Sequence, residues 1–173
     1  NIIAIEANEF TSAVNGGIRW KVLDNLSPTA SGVAAYPVTA PASEPGEGGP
    51  HLAYEVFLPE AGDYHLSVRT APSLDYWGEG GLNFAASIDD GPISPLNIFA
   101  QPDSPAWNEA VASNGFTRKT TLRVTSAGAH TVKLWRVDPG VVFQRLVITK
   151  ADGLPTSYLG PLPSKAIEAG TPK

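Results

Sequence analysis

Between Leu52 and Val68 the chain changes face at nearly every residue. Leu52, Tyr54, Val56 and Leu58 fall on one parity, Pro59-Glu60-Ala61-Gly62 interrupts, and Tyr64, Leu66 and Val68 resume the alternation. A period of two is the signature of a strand with one buried face, and a turn sequence between two such runs is a hairpin. A helix cannot use this pattern, because its apolar face recurs every three or four residues.

The same signal recurs along the chain. Ile2 to Glu6 is a short apolar opening strand, and Ile18 to Leu23 alternates, with Ile18, Trp20 and Val22 on one parity. Val33 to Val38 is a further strand, followed by a loop from Pro41 to Pro50 with Pro-Gly and Gly-Gly turn signals. Leu82 to Asp89 places Leu82, Phe84, Ala86 and Ile88 together, after a long loop from Ala71 to Gly81. Arg118 to Thr125 and Thr131 to Val137 flank the hairpin signal Ser126-Ala127-Gly128, and Val141 to Thr149 is the last strong strand. Ile98 to Asn114 is ambiguous, with Trp107 to Ala112 readable as a helical turn or a strand. About nine or ten short strands at this spacing, with no helix of ten residues or more, imply an all-β fold: an antiparallel β-sandwich of jelly-roll type. The expected organisation is a sandwich module over residues 1–150 and a Pro/Gly-rich tail over 151–173, packed on the sandwich or serving as a linker.

Length and charge narrow the partners. A chain of 173 residues can build one substantial core. The net charge of −5 and the absence of a basic run argue against nucleic acid and anionic membrane, and no apolar stretch is long enough to span a bilayer. There is no cysteine, so disulfides, thiol catalysis and thiolate metal sites are excluded. The chain also lacks methionine and starts at Asn1, the pattern expected of a module excised from a longer polypeptide.

Catalytic constellations are missing. The histidines are His51, His65 and His130, with no His-x-His or HExxH spacing; His65 and His130 read as solvent-facing strand positions. There is no Gly-x-Ser-x-Gly elbow and no phosphate loop. Asp89-Asp90 is a paired carboxylate, but adjacent residues at a strand end point apart, which suits a turn better than glycosidic chemistry.

The aromatics remain. Tyr76 and Trp77 lie in Ser73-Leu74-Asp75-Tyr76-Trp77-Gly78-Glu79-Gly80-Gly81, where no alternation assigns them to the core. An exposed ring on a sandwich loop can stack on the C–H face of a pyranose, with Asp75 and Glu79 close enough in sequence to accept hydroxyl hydrogen bonds. Equally, Trp77 could fold back and cap the sandwich. Trp107, after Pro105-Ala106, could line a second wall or pack on the core. Trp135 alternates with Leu134 and is expected to be buried.

The segment His-Thr-Val-Lys-Leu-Trp-Arg-Val-Asp-Pro-Gly-Val-Val from His130, then Phe-Gln-Arg-Leu-Val-Ile, then Gly153-Leu154-Pro155-Thr156-Ser157-Tyr158-Leu159-Gly160-Pro161, resembles the C-terminal β-sandwich domain of glycoside hydrolase family 115, the xylan α-1,2-glucuronidases. Ile5-Glu6-Ala7 and Ser87-Ile88-Asp89-Asp90 extend the likeness, while Thr156 departs from the usual Pro-Ser-Tyr-Leu-Gly-Pro run. The layout is more distantly similar to carbohydrate-binding modules of families 6 and 35, which also carry Ile-Glu-Ala and an Ala-Gly-x-Tyr hairpin, here Ala61-Gly62-Asp63-Tyr64. That resemblance implies a sugar site at the loop ends, whose nearest equivalents are Tyr36, Tyr76, Trp77 and Trp107. It also implies a structural calcium, whose ligand positions fall on Glu6, Asn8 and Gln144; two of these have lost the carboxylate that a hard cation favours. No catalytic residue carries over. The expectation is a non-catalytic module, secreted or periplasmic, that holds a parent catalytic domain on plant hemicellulose of the xylan or glucuronoxylan type. The rival is a structural or dimerisation domain with no sugar site.

Overall fold

The computed structural model describes residues 2–76, 78, 80–150 and 159–164. In chain order the elements are β1 (Ile2–Glu6), a 3₁₀ turn (Ala7–Glu9), β2 (Ser12–Val14), β3 (Arg19–Leu23), β4 (Gly32–Tyr36), β5 (His51–Leu58), β6 (Gly62–Thr70), β7 (Asn83–Ile88), β8 (Ser94–Asn97), α1 (Pro105–Ala112), β9 (Phe116–Val124), β10 (Gly128–Arg136) and β11 (Val142–Thr149). Two antiparallel sheets result. One runs β3-β4-β11-β6-β9, with β1 pairing along β11 beyond β4; the other runs β2-β5-β10-β7-β8.

The alternation read from the sequence is what packs the sheets together. Leu52, Tyr54, Val56 and Leu58 from β5, Tyr64, Leu66 and Val68 from β6, Phe84, Ala86 and Ile88 from β7, and Val132 and Leu134 from β10 form one buried cluster with Phe143, Leu146 and Ile148 of β11. Phe84 meets Phe143 edge-on at 5.4 Å between ring centroids, a favourable aromatic geometry across the two layers. The Tyr54 hydroxyl donates to the Ala7 carbonyl at 2.8 Å, so a phenol at the centre of the core keeps a partner. Full burial holds its proton on, well above the usual tyrosine range.

Trp135 is buried, 6% exposed, on the central strand of the five-stranded sheet. It faces away from the inter-sheet core, where Ser87 Oγ accepts from its indole N–H at 2.9 Å and the His51 ring lies 4.3 Å away. β2 and β8 have no counterpart in the sequence reading; they are short edge strands with too few residues for a period to show. The ambiguous stretch resolves into α1, whose Ser104 hydroxyl accepts from the Trp107 amide at 3.1 Å while Pro105 occupies the first turn.

His130 corrects its expected position. It shares parity with Val132 and Leu134, so it points inward and is buried. One ring nitrogen lies 2.7 Å from Asp89 Oδ2 and the other 2.9 Å from the Ser126 carbonyl. A carbonyl can only accept, and so can an ionised carboxylate, so the pair of contacts calls for both ring N–H groups. The Asp89 hydrogen bond accordingly raises the His130 pKa. Asp89 also accepts from the Thr131 amide at 2.9 Å, and its φ of 49° places it in the turn after β7.

Candidate functional site

Four connections gather at one end of the sandwich: those leaving β4, β6, β8 and β10. Ser43 N–H donates to the Val137 carbonyl at 2.8 Å, Asp138 N–H to Asn83 at 2.9 Å, Ile98 N–H to Leu82 at 3.1 Å, and Ala71 N–H to Val142 at 2.9 Å. Between them lies a cleft of about 360 Å³ lined by Thr39, Pro41, Ala42, Asp75, Gly81, Leu82, Asn83, Asp138 and Pro139. Proline, alanine and leucine supply apolar walls, while the carboxylates, the amide and the threonine hydroxyl supply polar points, the mixture expected of a small-ligand site.

The polar groups are held by the loops they hold. Asp75 Oδ1 accepts from the Gly78 amide at 3.0 Å and Oδ2 from the Gly81 amide at 2.9 Å, so this side chain shapes its own loop. Asp138 Oδ2 accepts from both the backbone and side-chain nitrogens of Asn83, at 2.6 and 2.7 Å. A Cβ at Gly81 would lie 2.7 Å from that same oxygen, so a side chain there would displace the Asp138 carboxylate. Leu82, on the cleft wall, has φ of 72°, a left-handed conformation that branched apolar residues rarely adopt. Such strain persists where the surroundings over-determine it, commonly at functional sites.

Tyr76 stands over the rim. Its hydroxyl donates to the Val38 carbonyl at 2.7 Å, its ring abuts Gly140, and it is 55% exposed. It therefore bridges the residues next to Thr39 and Pro139, both of which line the cleft. Arg136 supports the opposite loop. Its guanidinium donates to the Ala40 carbonyl at 2.8 Å and also to the Pro41 carbonyl and the Ser43 hydroxyl. Burial lowers its pKa from the ordinary arginine value, with Asp138 opposing the shift.

Of the expected sugar residues, Asp75 lines this cleft and Tyr76 flanks it; Trp77 and Glu79 lie outside the described residues. Tyr36 does not line it: its ring is half-buried under the Lys21 ammonium, 5.3 Å from the centroid. Trp107 does not line it either. It sits on α1 with its ring 6.2 Å from Phe116, packed against the core, because the amphipathic turn buries that side. Asn83, Asp138, Thr39 and Arg136 were not legible as site residues. Asp138-Pro139-Gly140 carried a turn signal and nothing more, and Asn83 reads as the polar start of a strand.

The calcium ligands implied by resemblance do not form an oxygen cage. Glu6 is buried, but its register partner across β1 and β11 is Arg145, whose Nε lies 3.4 Å from Glu6 Oε1. The Thr29 hydroxyl lies within hydrogen-bonding distance of both Glu6 oxygens, at 2.8 and 2.9 Å. Gln144 turns its amide nitrogen to the Leu26 and Asn114 carbonyls, at 3.0 and 3.1 Å, and Asn8 is exposed on the 3₁₀ turn. A fixed guanidinium already balances the one remaining carboxylate, so a divalent ion beside it would meet repulsion. No group of three or more metal-ligating side chains occurs among the described residues.

The fold has known counterparts. A glucuronidase, BtGH115A, described as specific for decorated arabinogalactans, superposes with a TM-score of 0.68 at 17% identity over 86% of this chain, which spans 17% of that protein's length. A C-terminal family 6 carbohydrate-binding module of the laminarinase LamC from Zobellia galactanivorans superposes at 0.57 with 19% identity, covering 87% of this chain and 100% of the module. A family 35 module from Clostridium thermocellum gives 0.57 at 18%, covering 84% and 97%. These likenesses establish the fold. No curated protein matches the chain. Residues 1–163 match the model of the glycosyl hydrolase family 115 C-terminal domain, and the chain belongs to that family as a non-catalytic β-sandwich module.

Proposed function

We propose that this domain binds carbohydrate through the loop-end cleft and holds a parent glycoside hydrolase on plant hemicellulose of the xylan type. The observation carrying the reading is the cleft itself: Asp75, Asn83, Asp138 and Thr39 set among apolar walls, with the Tyr76 ring over the rim. Carboxylate and amide oxygens accept from sugar hydroxyls, and an aromatic face covers the apolar side of a pyranose. The mechanism is tethering, which raises the effective concentration of the parent's active site along a polymer without altering its chemistry. Such work belongs outside the cytoplasm, in a secreted or periplasmic enzyme. The arabinogalactan specificity stated for BtGH115A makes that polymer the natural comparison ligand.

Calorimetric titration of the domain with xylo-oligosaccharides tests the reading, with arabinogalactan oligosaccharides in parallel. Tyr76→Ala and Trp77→Ala are each expected to weaken binding about tenfold, the scale of one lost stacking contact, with an unchanged circular dichroism spectrum. If the wild-type domain binds no glycan at millimolar concentration, the domain is instead a structural or dimerisation element of its parent.

A further inference from the structure

The charge lining the cleft has a consequence for which sugars it accepts. Asp75 and Asp138 both contribute carboxylates to its surface, and no lysine, arginine or histidine is among the described residues that line it. The nearby cation, Arg136, is not among those lining residues; its terminal nitrogens donate to Ala40, Pro41 and Ser43, on the loop that forms one wall. Its charge offsets part of that of Asp138. Asp138 accepts from the backbone and side-chain amides of Asn83, neutral donors that leave its anionic charge in place, and the Gly78 and Gly81 amides are among the donors to Asp75. The chain as a whole carries −5.

A ligand carboxylate entering this cleft meets like charge and no bidentate arginine to receive it. A neutral pyranose meets acceptors suited to its hydroxyls. We propose that the cleft selects neutral glycan segments and rejects uronic-acid-bearing ones, with Asp138 as the discriminating residue. The inference rests on the carbohydrate-binding reading of the same site.

The test compares neutral xylo-oligosaccharides with otherwise matched oligosaccharides carrying one glucuronic acid, in chelator and again with calcium, at low and high salt. The neutral ligand is expected to bind about tenfold more tightly at low ionic strength, equivalent to about 1.4 kcal/mol. That gap should narrow as salt rises, because added ions screen the repulsion. Asp138→Asn keeps one acceptor oxygen for Asn83 and removes the charge, so it should narrow the gap at low salt by improving uronate binding. The salt series needs no variant and stands even if Asp138→Asn fails to fold. Equal or tighter binding of the acidic ligand, with or without calcium, overturns the selectivity while leaving carbohydrate binding intact. A salt-independent gap also overturns it, since discrimination would then be steric. Failure of both ligands to bind overturns the xylan-binding reading, and the selectivity with it.

Discussion

Trp135 shows how one side chain can serve a face outside the core. Its indole is satisfied by Ser87 and covered by His51, and the Lys133 ammonium lies 5.9 Å from its ring centroid. Trp135→Ala is expected to cost about 3–5 kcal/mol, the scale for truncating a large buried aromatic, read as a lower midpoint in chemical denaturation. His130 gives a pH-dependent counterpart. Its hydrogen bond to Asp89 raises its pKa above the unfolded value. Stability from that shift is therefore complete below the ordinary histidine range and is lost as pH rises through the folded pKa. Asp89 works in the opposite sense. Burial opposes its ionisation, but the bonds from His130 and Thr131 prevail and lower its pKa, so its contribution is lost on acidification. As pH rises through the ordinary histidine range and above it, the melting temperature should fall more steeply in the wild type than in His130→Gln. Parallel curves would show that the pair is not linked to folding.

At the scale of elements, β1 and β11 are joined by more than their ladder. Arg145 reaches past Glu6 to the carbonyls of Leu159 and Pro161, and Ser164 pairs with Ala4 through both its backbone N–H, at 2.8 Å, and its hydroxyl, at 3.0 Å. One guanidinium thus balances the buried Glu6 and fastens the 159–164 segment along the first strand. Arg145→Ala leaves the Glu6 carboxylate buried and uncompensated, with an expected loss of about 3–5 kcal/mol. Adding Glu6→Gln to that variant should recover part of the loss, because the two changes share one interaction. Full additivity in the double-mutant cycle would show that the pair is not coupled.

At the scale of the whole molecule, that ion pair bears on metal dependence. A bound structural ion would stabilise the folded state by mass action. Because Arg145 occupies the charge-balancing role, the melting temperature should be the same in chelator and in millimolar calcium. A rise with calcium would mean that another set of oxygens binds the ion. The two sheets and their loop cluster also give the molecule its polarity. The loops after β4, β6, β8 and β10 meet at one end, where the cleft lies, while the 159–164 segment binds along β1.

The sequence alone determined the class of fold, because period-two alternation is a local property that survives without knowing any partner. It placed the long strands β5, β6, β7, β10 and β11 and the burial of Trp135, and its Tyr76 and Asp75 lie at the cleft. Short edges such as β2 and β8 carried too few residues to show a period, and parity misjudged for His130 put an inward side chain outside. The cleft belonged to tertiary structure. Asn83 and Asp138 are 55 residues apart and touch only because β7 and β10 pair. The same holds for Glu6, which the family resemblance makes a metal position and beside which the register of β1 against β11 sets a guanidinium. Local periodicity records which face a residue occupies; only strand pairing decides which charge it meets there.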